Sequence, residues 1–181
     1  MSSATTRRPL AEAQSVADEI LTQLAPHCER ISLAGSIRRQ RPTIGDIEIV
    51  CIPRPYEPAP LLRSGIALVV EQWEKVRGEL PCKYTQRLLP CGMKLDLFMP
   101  DPRGYGLQLA IRTGSADWCR QVLAPAWVRA GYYSEDGVLH VRVDEDFPDN
   151  WDTTVDTPDE RELFRQIGLP WVEPVDREVS S

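Results

Sequence analysis

Three acids stand where strands are expected. Asp46 and Glu48 are two apart in Asp46-Ile47-Glu48-Ile49, so strand alternation sends both to one face and Ile47, Ile49 and Cys51 to the other. Asp96 lies farther along the chain, flanked by Leu95 and Leu97 in a second apolar run. A carboxylate among core aliphatics is unfavourable unless it is paired or holds a cation. Three that cluster raise one another's pKa by repulsion. The common remedy is a hard divalent cation, which takes oxygen ligands. Two such ions about 3.5–4 Å apart can activate an attacking oxygen and stabilise a leaving one. Taken alone, Asp-x-Glu is also the ordinary pattern of a strand with one face in water.

Phosphate-binding residue types stand next to these acids. Gly35-Ser36 closes the preceding strand, and Arg38, Arg39, Arg41 and Gly45 fill the interval before Asp46. Glycine lets a ligand approach the backbone closely. A serine hydroxyl and backbone N–H groups can bind phosphate oxygens, and arginine adds charge and paired donors. Phosphate binders beside metal binders are what nucleotidyl transfer needs.

Those residues need elements to hold them. Leu10, Ala13, Ala17, Ile20 and Leu24 recur at helical spacing, which predicts an amphipathic helix from Leu10 to Ala25, ended by Pro26. Residues 1–8 read as a flexible arm. Arg30–Ser36 and Asp46–Ile52 read as strands. The prolines of Pro-Arg-Pro-Tyr-Glu-Pro-Ala-Pro, 53–60, exclude helix and central strand. A helix is predicted from Ser64 to Arg77 with Ile66, Val69, Val70 and Trp73 inward. Lys83–Leu89 and Met93–Met99 read as a hairpin around Pro90-Cys91-Gly92, with Lys94, Asp96 and Phe98 sharing a face. Leu107–Arg112 and Ser115–Ala130 read as helices broken at Thr113-Gly114. Tyr132–Val143 reads as a hairpin turning at Glu135-Asp136-Gly137. Thr157-Pro158-Asp159-Glu160 reads as a capping box with proline in the first helical position, opening a helix that ends at Gly168. The order predicts an α+β fold: a mixed β-sheet with flanking helices, then a small C-terminal lobe. No internal repeat is visible.

The length of 181 residues suits a core domain with a small lobe. Apolar residues are 42% and charged residues 27%, ordinary globular values. No apolar run spans a bilayer and the N-terminal residues lack a signal-like apolar stretch, which predicts an intracellular protein, in cytoplasm or nucleoid, with no membrane partner. Five cysteines without a Cys-x-x-Cys pair, and only two histidines, exclude a disulfide scaffold and a closed zinc site. The net charge of −6 is the wrong sign for coating nucleic acid electrostatically. It leaves room for a nucleic-acid substrate held by local basic groups. The acidic stretch from Asp144 to Asp156 reads as a solvated loop, and Trp73, Trp127, Trp151 and Trp171 as packing residues.

The run from Ala34 to Ile49, A-G-S-I-R-R-Q-R-P-T-I-G-D-I-E-I, resembles the nucleotide-binding signature of the nucleotidyltransferase superfamily. Its Gly-Ser-x-Arg-Arg spelling is most similar to the polymerase beta-like enzymes, DNA polymerase family X. Lys94-Leu95-Asp96-Leu97 resembles the strand carrying that family's third metal-binding acid. Arg112-Thr113-Gly114-Ser115 resembles its Thr-Gly-Ser turn beside the incoming nucleotide. Glu162-Leu163-Phe164 and Leu169-Pro170-Trp171 resemble its closing helix and Leu-Pro-aromatic segment. The likeness runs in order from about Leu10 to Val172.

The resemblance implies a nucleotidyltransferase palm over 1–113, a thumb-like lobe over 114–173 that binds nucleotide and nascent base pair, and a tail over 174–181. It implies that Asp46 and Glu48 bridge two Mg²⁺ ions, for which Mn²⁺ substitutes. Asp96 would bind the ion that activates the primer 3′ hydroxyl. Ser36 and Arg39, with the backbone of Gly35 and Gly45, would hold the triphosphate, in whose neighbourhood Arg38 also falls. Arg112, Thr113, Gly114, Ser115 and Trp118 would line the nucleotide, and Lys94 would reach the primer terminus. The implied activity is addition of dNMP from a dNTP to a primer in gapped DNA, as in DNA repair, with release of pyrophosphate.

The chain departs from the family's pattern at several points. Glu48 stands where Asp is usual. Ile111-Arg112 replaces the aromatic pair that helps exclude a ribose 2′ hydroxyl, so NTP is an open alternative to dNTP. Ala116 and Cys119 replace polar residues near the incoming base. The few residues before Gly35 suffice for one helix, so neither a lyase domain nor a DNA-gripping helix-hairpin-helix is expected, as in the smallest viral members. The chain is then expected to be a monomer that grips DNA weakly, through Lys94 and lobe arginines such as Arg120, Arg129 and Arg142. Two other readings stand beside this one: the same transfer to RNA, a protein or a small molecule, and a non-catalytic nucleotide-binding module.

Overall fold

A computed structural model describes residues 7–54, 65–142 and 153–179. The chain divides into two compact units, Met1–Pro100 and Asp101–Ser181. The helix expected at Leu107–Arg112 thus groups with the second unit.

In the first unit, β1 (Arg8–Pro9) leads into α1 (Leu10–Leu24), β2 (Cys28–Leu33), the short α2 (Gly35–Arg38), β3 (Thr43–Ile44) and β4 (Asp46–Pro53). Then come α3 (Gly65–Val70), β5 (Glu74–Arg77), β6 (Tyr84–Leu88) and β7 (Lys94–Phe98). Five strands form a mixed sheet in the order β2-β4-β7-β6-β5. Only β4 and β7 run parallel; the other neighbours are antiparallel. The apolar face carries Ile47, Ile49, Cys51, Leu95 and Leu97 and meets Ala13, Ala17, Ile20 and Leu24 of α1, with Ile66 and Val70 of α3, in one core. Alternation along β4 therefore leaves Asp46 and Glu48 on the opposite face, as the pattern of residues required.

The second unit contains α4 (Tyr105–Thr113), α5 (Ala116–Trp118), a π-helical turn (Cys119–Leu123) and α6 (Ala124–Arg129). It continues with β8 (Tyr132–Glu135), β9 (Val138–Val141), β10 (Thr154–Val155) and α7 (Glu160–Gln166). β10, β9 and β8 form a three-stranded sheet. Leu107, Ala110, Trp118, Leu123, Leu163 and Phe164 build a separate core.

Several expectations needed correction. The helix predicted over 64–77 is described only for Gly65–Val70, and Glu74–Arg77 is a strand paired with β6. Pairing with the edge of β6 overrides the local helix preference of Glu, Lys and Arg in this segment, since propensity is only a weak prior against tertiary context. The N-cap of α7 is Asp159, whose carboxylate accepts from the Glu162 N–H. Thr157 instead accepts from the Leu107 N–H and donates to the Arg103 carbonyl, tying loop to helix. The last residue of the expected arm, Arg8, pairs with Ile44, and Pro9 after it pairs with Thr43. Of the expected tail, Arg177 is fully buried. The proline-rich loop beyond Arg54, most of the acidic stretch and Trp151 lie outside the described residues. All five cysteines are free thiols, and no described helix is long and apolar enough to cross a membrane.

Candidate functional site

The polar face of the first sheet brings the predicted acids together. Parallel β4 and β7 are in register with Asp46 opposite Lys94 and Glu48 opposite Asp96. Laterally paired residues of neighbouring strands share a face, and strands lie about 4.8 Å apart. Asp46, Glu48, Lys94 and Asp96 therefore form one cluster. Burial and then the Asp96 charge push the Asp46 carboxyl above its ordinary pKa, against the opposing pull of Arg7 and Lys94. Burial, the larger cause, and a neighbouring negative charge both disfavour the ionised form.

Each acid has a distinct seat. Asp96 is 7% exposed, and its Oδ1 accepts from Tyr84 Oη at 2.6 Å and Gln86 Nε2 at 2.8 Å. Glu48 lies against Gly35: a Cβ on Gly35 would come within 1.8 Å of Glu48 Oε2 and 2.7 Å of its Cδ. Gly35 also has φ of +61°, so both its conformation and its surroundings exclude a side chain. The Ala34 N–H donates to the Glu48 carbonyl at 2.9 Å, fastening the Gly35-Ser36 turn to β4. As they stand, the carboxylates are not closed into an ion cage, and no group of three His, Cys, Asp or Glu among the described residues is. One oxygen of Asp96 is turned to β6 and the Glu48 carboxylate rests on the turn.

Around these acids, α2 begins at Gly35 and carries Ser36, and its C-cap is Arg39. The chain reverses beyond it through Gln40, at φ 55°. The Ser36 side chain makes no hydrogen bond among the described residues, whereas Arg38 and Arg39 are engaged with other groups. At Gly45 a Cβ would meet no atom of the described residues within 4 Å, so no contact among them requires a glycine there. The Lys94 side chain makes no hydrogen bond or close ion pair among the described residues and faces Asp46 through its register position.

The second unit holds the other predicted residues. Thr113 ends α4 and is fully buried. Gly114 rests on the Trp118 ring, since a Cβ there would come 2.4 Å from Trp118 Cε3. Ser115 caps α5: its Oγ accepts from the Trp118 N–H at 3.1 Å, and its own N–H donates to the Arg177 carbonyl at 3.0 Å. Trp118 is 3% exposed and stacks on Phe164, with centroids 6.3 Å apart. It supports the turn from beneath as a core residue. Arg112, in the last turn of α4, is half-buried and engaged. Of the lobe arginines, Arg120 pairs with Asp117 at 2.6 Å in an exposed i,i+3 bridge.

Sequence reasoning missed three residues that act on the acidic face and one that anchors the strand leading into α1. Tyr84 and Gln86 orient Asp96, and Arg7 acts on Asp46 through its charge. Arg8 anchors β1 by donating to the Cys91 carbonyl. Tyr84 and Gln86 are two apart on a strand, the same signal that singled out Asp46 and Glu48. The pairing of β6 with β7 was needed to know whom they meet. No protein-family model matches the chain, and a search of curated proteins finds no match to it either.

Proposed function

We propose that this chain is a metal-dependent nucleotidyltransferase of the family X DNA polymerase kind. It adds dNMP from a dNTP to a primer 3′ hydroxyl in short DNA gaps and releases pyrophosphate. The observation that carries this reading is the parallel register of β4 and β7: three acids on one sheet face, beside a glycine turn pressed on one of them. The first unit's five-stranded mixed sheet with helices on its apolar face is consistent with a nucleotidyltransferase palm.

The donor set suits Mg²⁺ or Mn²⁺, since every candidate ligand atom is a carboxylate oxygen. Asp46 and Glu48 would hold both ions, and Asp96 the one that serves the primer. Bound there, the ions supply charge neutralisation and acidity at the attacking and leaving oxygens. The protein's own groups do the rest. The Ser36 hydroxyl, without a hydrogen-bond partner among the described residues, is a donor for a phosphate oxygen. Gly45 leaves backbone open to close approach, and Arg39 adds cationic charge. Lys94, level with Asp46 and without a hydrogen bond from its side chain among the described residues, is a donor for the primer terminus. Tyr84 and Gln86 keep Asp96 in one orientation, so the acceptor hydroxyl meets a fixed carboxylate. In the second unit, Gly114 and Ser115 are the nucleotide-side candidates, held in shape by Trp118 and Arg177.

The acceptor is the point at which a second reading enters. A net charge of −6 favours an acceptor other than long duplex DNA, such as an RNA end, a protein or a small molecule. Primer extension on gapped duplex with Mg²⁺ and dNTPs, lost in Asp96→Asn, is the expected result. Label transfer only without primed DNA, or only from NTPs, moves the assignment to the second reading. No incorporation with either cation, any dNTP or NTP, and any primer refutes both.

A further inference from the structure

Asp96 presents its two oxygens unequally. Oδ1 receives two hydrogen bonds, from Tyr84 Oη and Gln86 Nε2, while no described residue binds Oδ2. Both donors come from β6, where Gln86 is paired with Asp96 and Tyr84 with Phe98. The Tyr84 ring is stacked on Phe98, with centroids 5.0 Å apart and planes at 25°, so its position does not depend on the hydroxyl. Two donors fill the accepting directions of one carboxylate oxygen. A carboxylate held in this way offers a cation one oxygen rather than two.

That difference bears on which cation is accepted. Ca²⁺ takes six to eight oxygens and readily binds a carboxylate through both. Mg²⁺ demands octahedral geometry with short bonds, which suits one oxygen per carboxylate. We propose that Tyr84 and Gln86 are positioning residues that confine Asp96 to one-oxygen coordination and so select Mg²⁺-like cations over Ca²⁺. The inference rests on the reading of Asp96 as a metal-binding acid.

The test uses the full chain and reads cation binding without turnover. Mn²⁺ is titrated by electron paramagnetic resonance, and Ca²⁺ is then used to displace it, for wild type, Asp96→Asn, Tyr84→Phe, Gln86→Leu and the double variant. Tyr84→Phe keeps the stacked ring, which guards against loss of fold, and thermal unfolding is recorded alongside. Outer partners of metal ligands typically change affinity about 10–100-fold. The expected result is weaker Mn²⁺ binding by about tenfold in Tyr84→Phe and more in the double variant, with Ca²⁺ gaining on Mn²⁺ by a similar factor. A Ca²⁺-to-Mn²⁺ ratio that stays at the wild-type value overturns the inference, as does a ratio that changes only in step with lowered thermal stability. If Asp96→Asn binds Mn²⁺ like wild type, the reading of Asp96 itself fails, and the inference with it.

Discussion

Replacing Gly35 by alanine tests the closest contact of the acidic face. The added Cβ would sit 1.8 Å from Glu48 Oε2, 2.7 Å from Cδ and 3.1 Å from Cβ of the same residue. Two penalties apply. A left-handed backbone for an L-residue costs about 1–2 kcal/mol. Forcing an extra carbon into a filled site costs about 1–3 kcal/mol more. Gly35→Ala should therefore lose about 2–5 kcal/mol in wild type. In a Glu48→Ala background the two nearest atoms are gone and only the tight Cβ contact remains, so the loss should shrink towards the backbone share of about 1–2 kcal/mol. Urea unfolding of the four chains closes the cycle, with amide exchange of β4 isolating the first unit. In the nucleotidyl-transfer assay, the displaced Glu48 carboxylate should lower turnover by about 100-fold, the order expected for a misplacement near 1 Å. An equal stability loss in both backgrounds would refute the contact, and full activity in Gly35→Ala would remove Glu48 from the site.

Three further outcomes are expected. Arg177 is fully buried, bonded to Glu160 and to the Val172 carbonyl, with its guanidinium 5.0 Å from the rings of Phe164 and Trp171. Arg177→Met strands the Glu160 charge and should destabilise the second unit by about 3–5 kcal/mol, while Glu160→Leu with Arg177→Met should recover most of it in thermal unfolding; a double variant no better than the single one contradicts charge coupling. Gly114 has an ordinary φ of −65° but no room, so Gly114→Ala should lose about 1–3 kcal/mol by crowding Trp118 and the Cys119 Sγ, and Trp118→Leu should relieve part of it. Asp46 has a folded pKa above its ordinary 3.8, raised first by burial and then by Asp96. The folded chain therefore binds this proton more tightly than the unfolded one, and the associated stability is complete below 3.8 and lost as pH rises through the folded value. In metal-free buffer Asp46→Asn should gain stability relative to wild type between about pH 4 and pH 7, and a constant difference over that range would count against the crowding of Asp46.

Local pattern carried much of the first unit. The spacing in α1, the alternation in β4 and β7 and the punctuation at Pro26, Gly92 and Gly137 are read from neighbours a few residues apart, and period alone decides which side chains share a face. Hence the expectation that Asp46 and Glu48 leave one face while Ile47 and Ile49 enter the core needed only the sequence. That β4 lies parallel to β7, with Glu48 level with Asp96, did not follow from any local rule. It depends on a crossover through α3, β5 and β6, and sheet order is set by which edges find partners. The same competition turned Glu74–Arg77 from predicted helix to edge strand, and moved the cap of α7 from Thr157 to Asp159 once Thr157 was drawn to Arg103 and Leu107. Tyr84, Gln86, Arg7 and the buried Arg177 became visible only through tertiary structure, because each acts on a residue far away in sequence. What the residues themselves determined was the chemistry on offer; what only the fold decided was which oxygen of which acid faces outward, since that depends on donors delivered by a neighbouring strand.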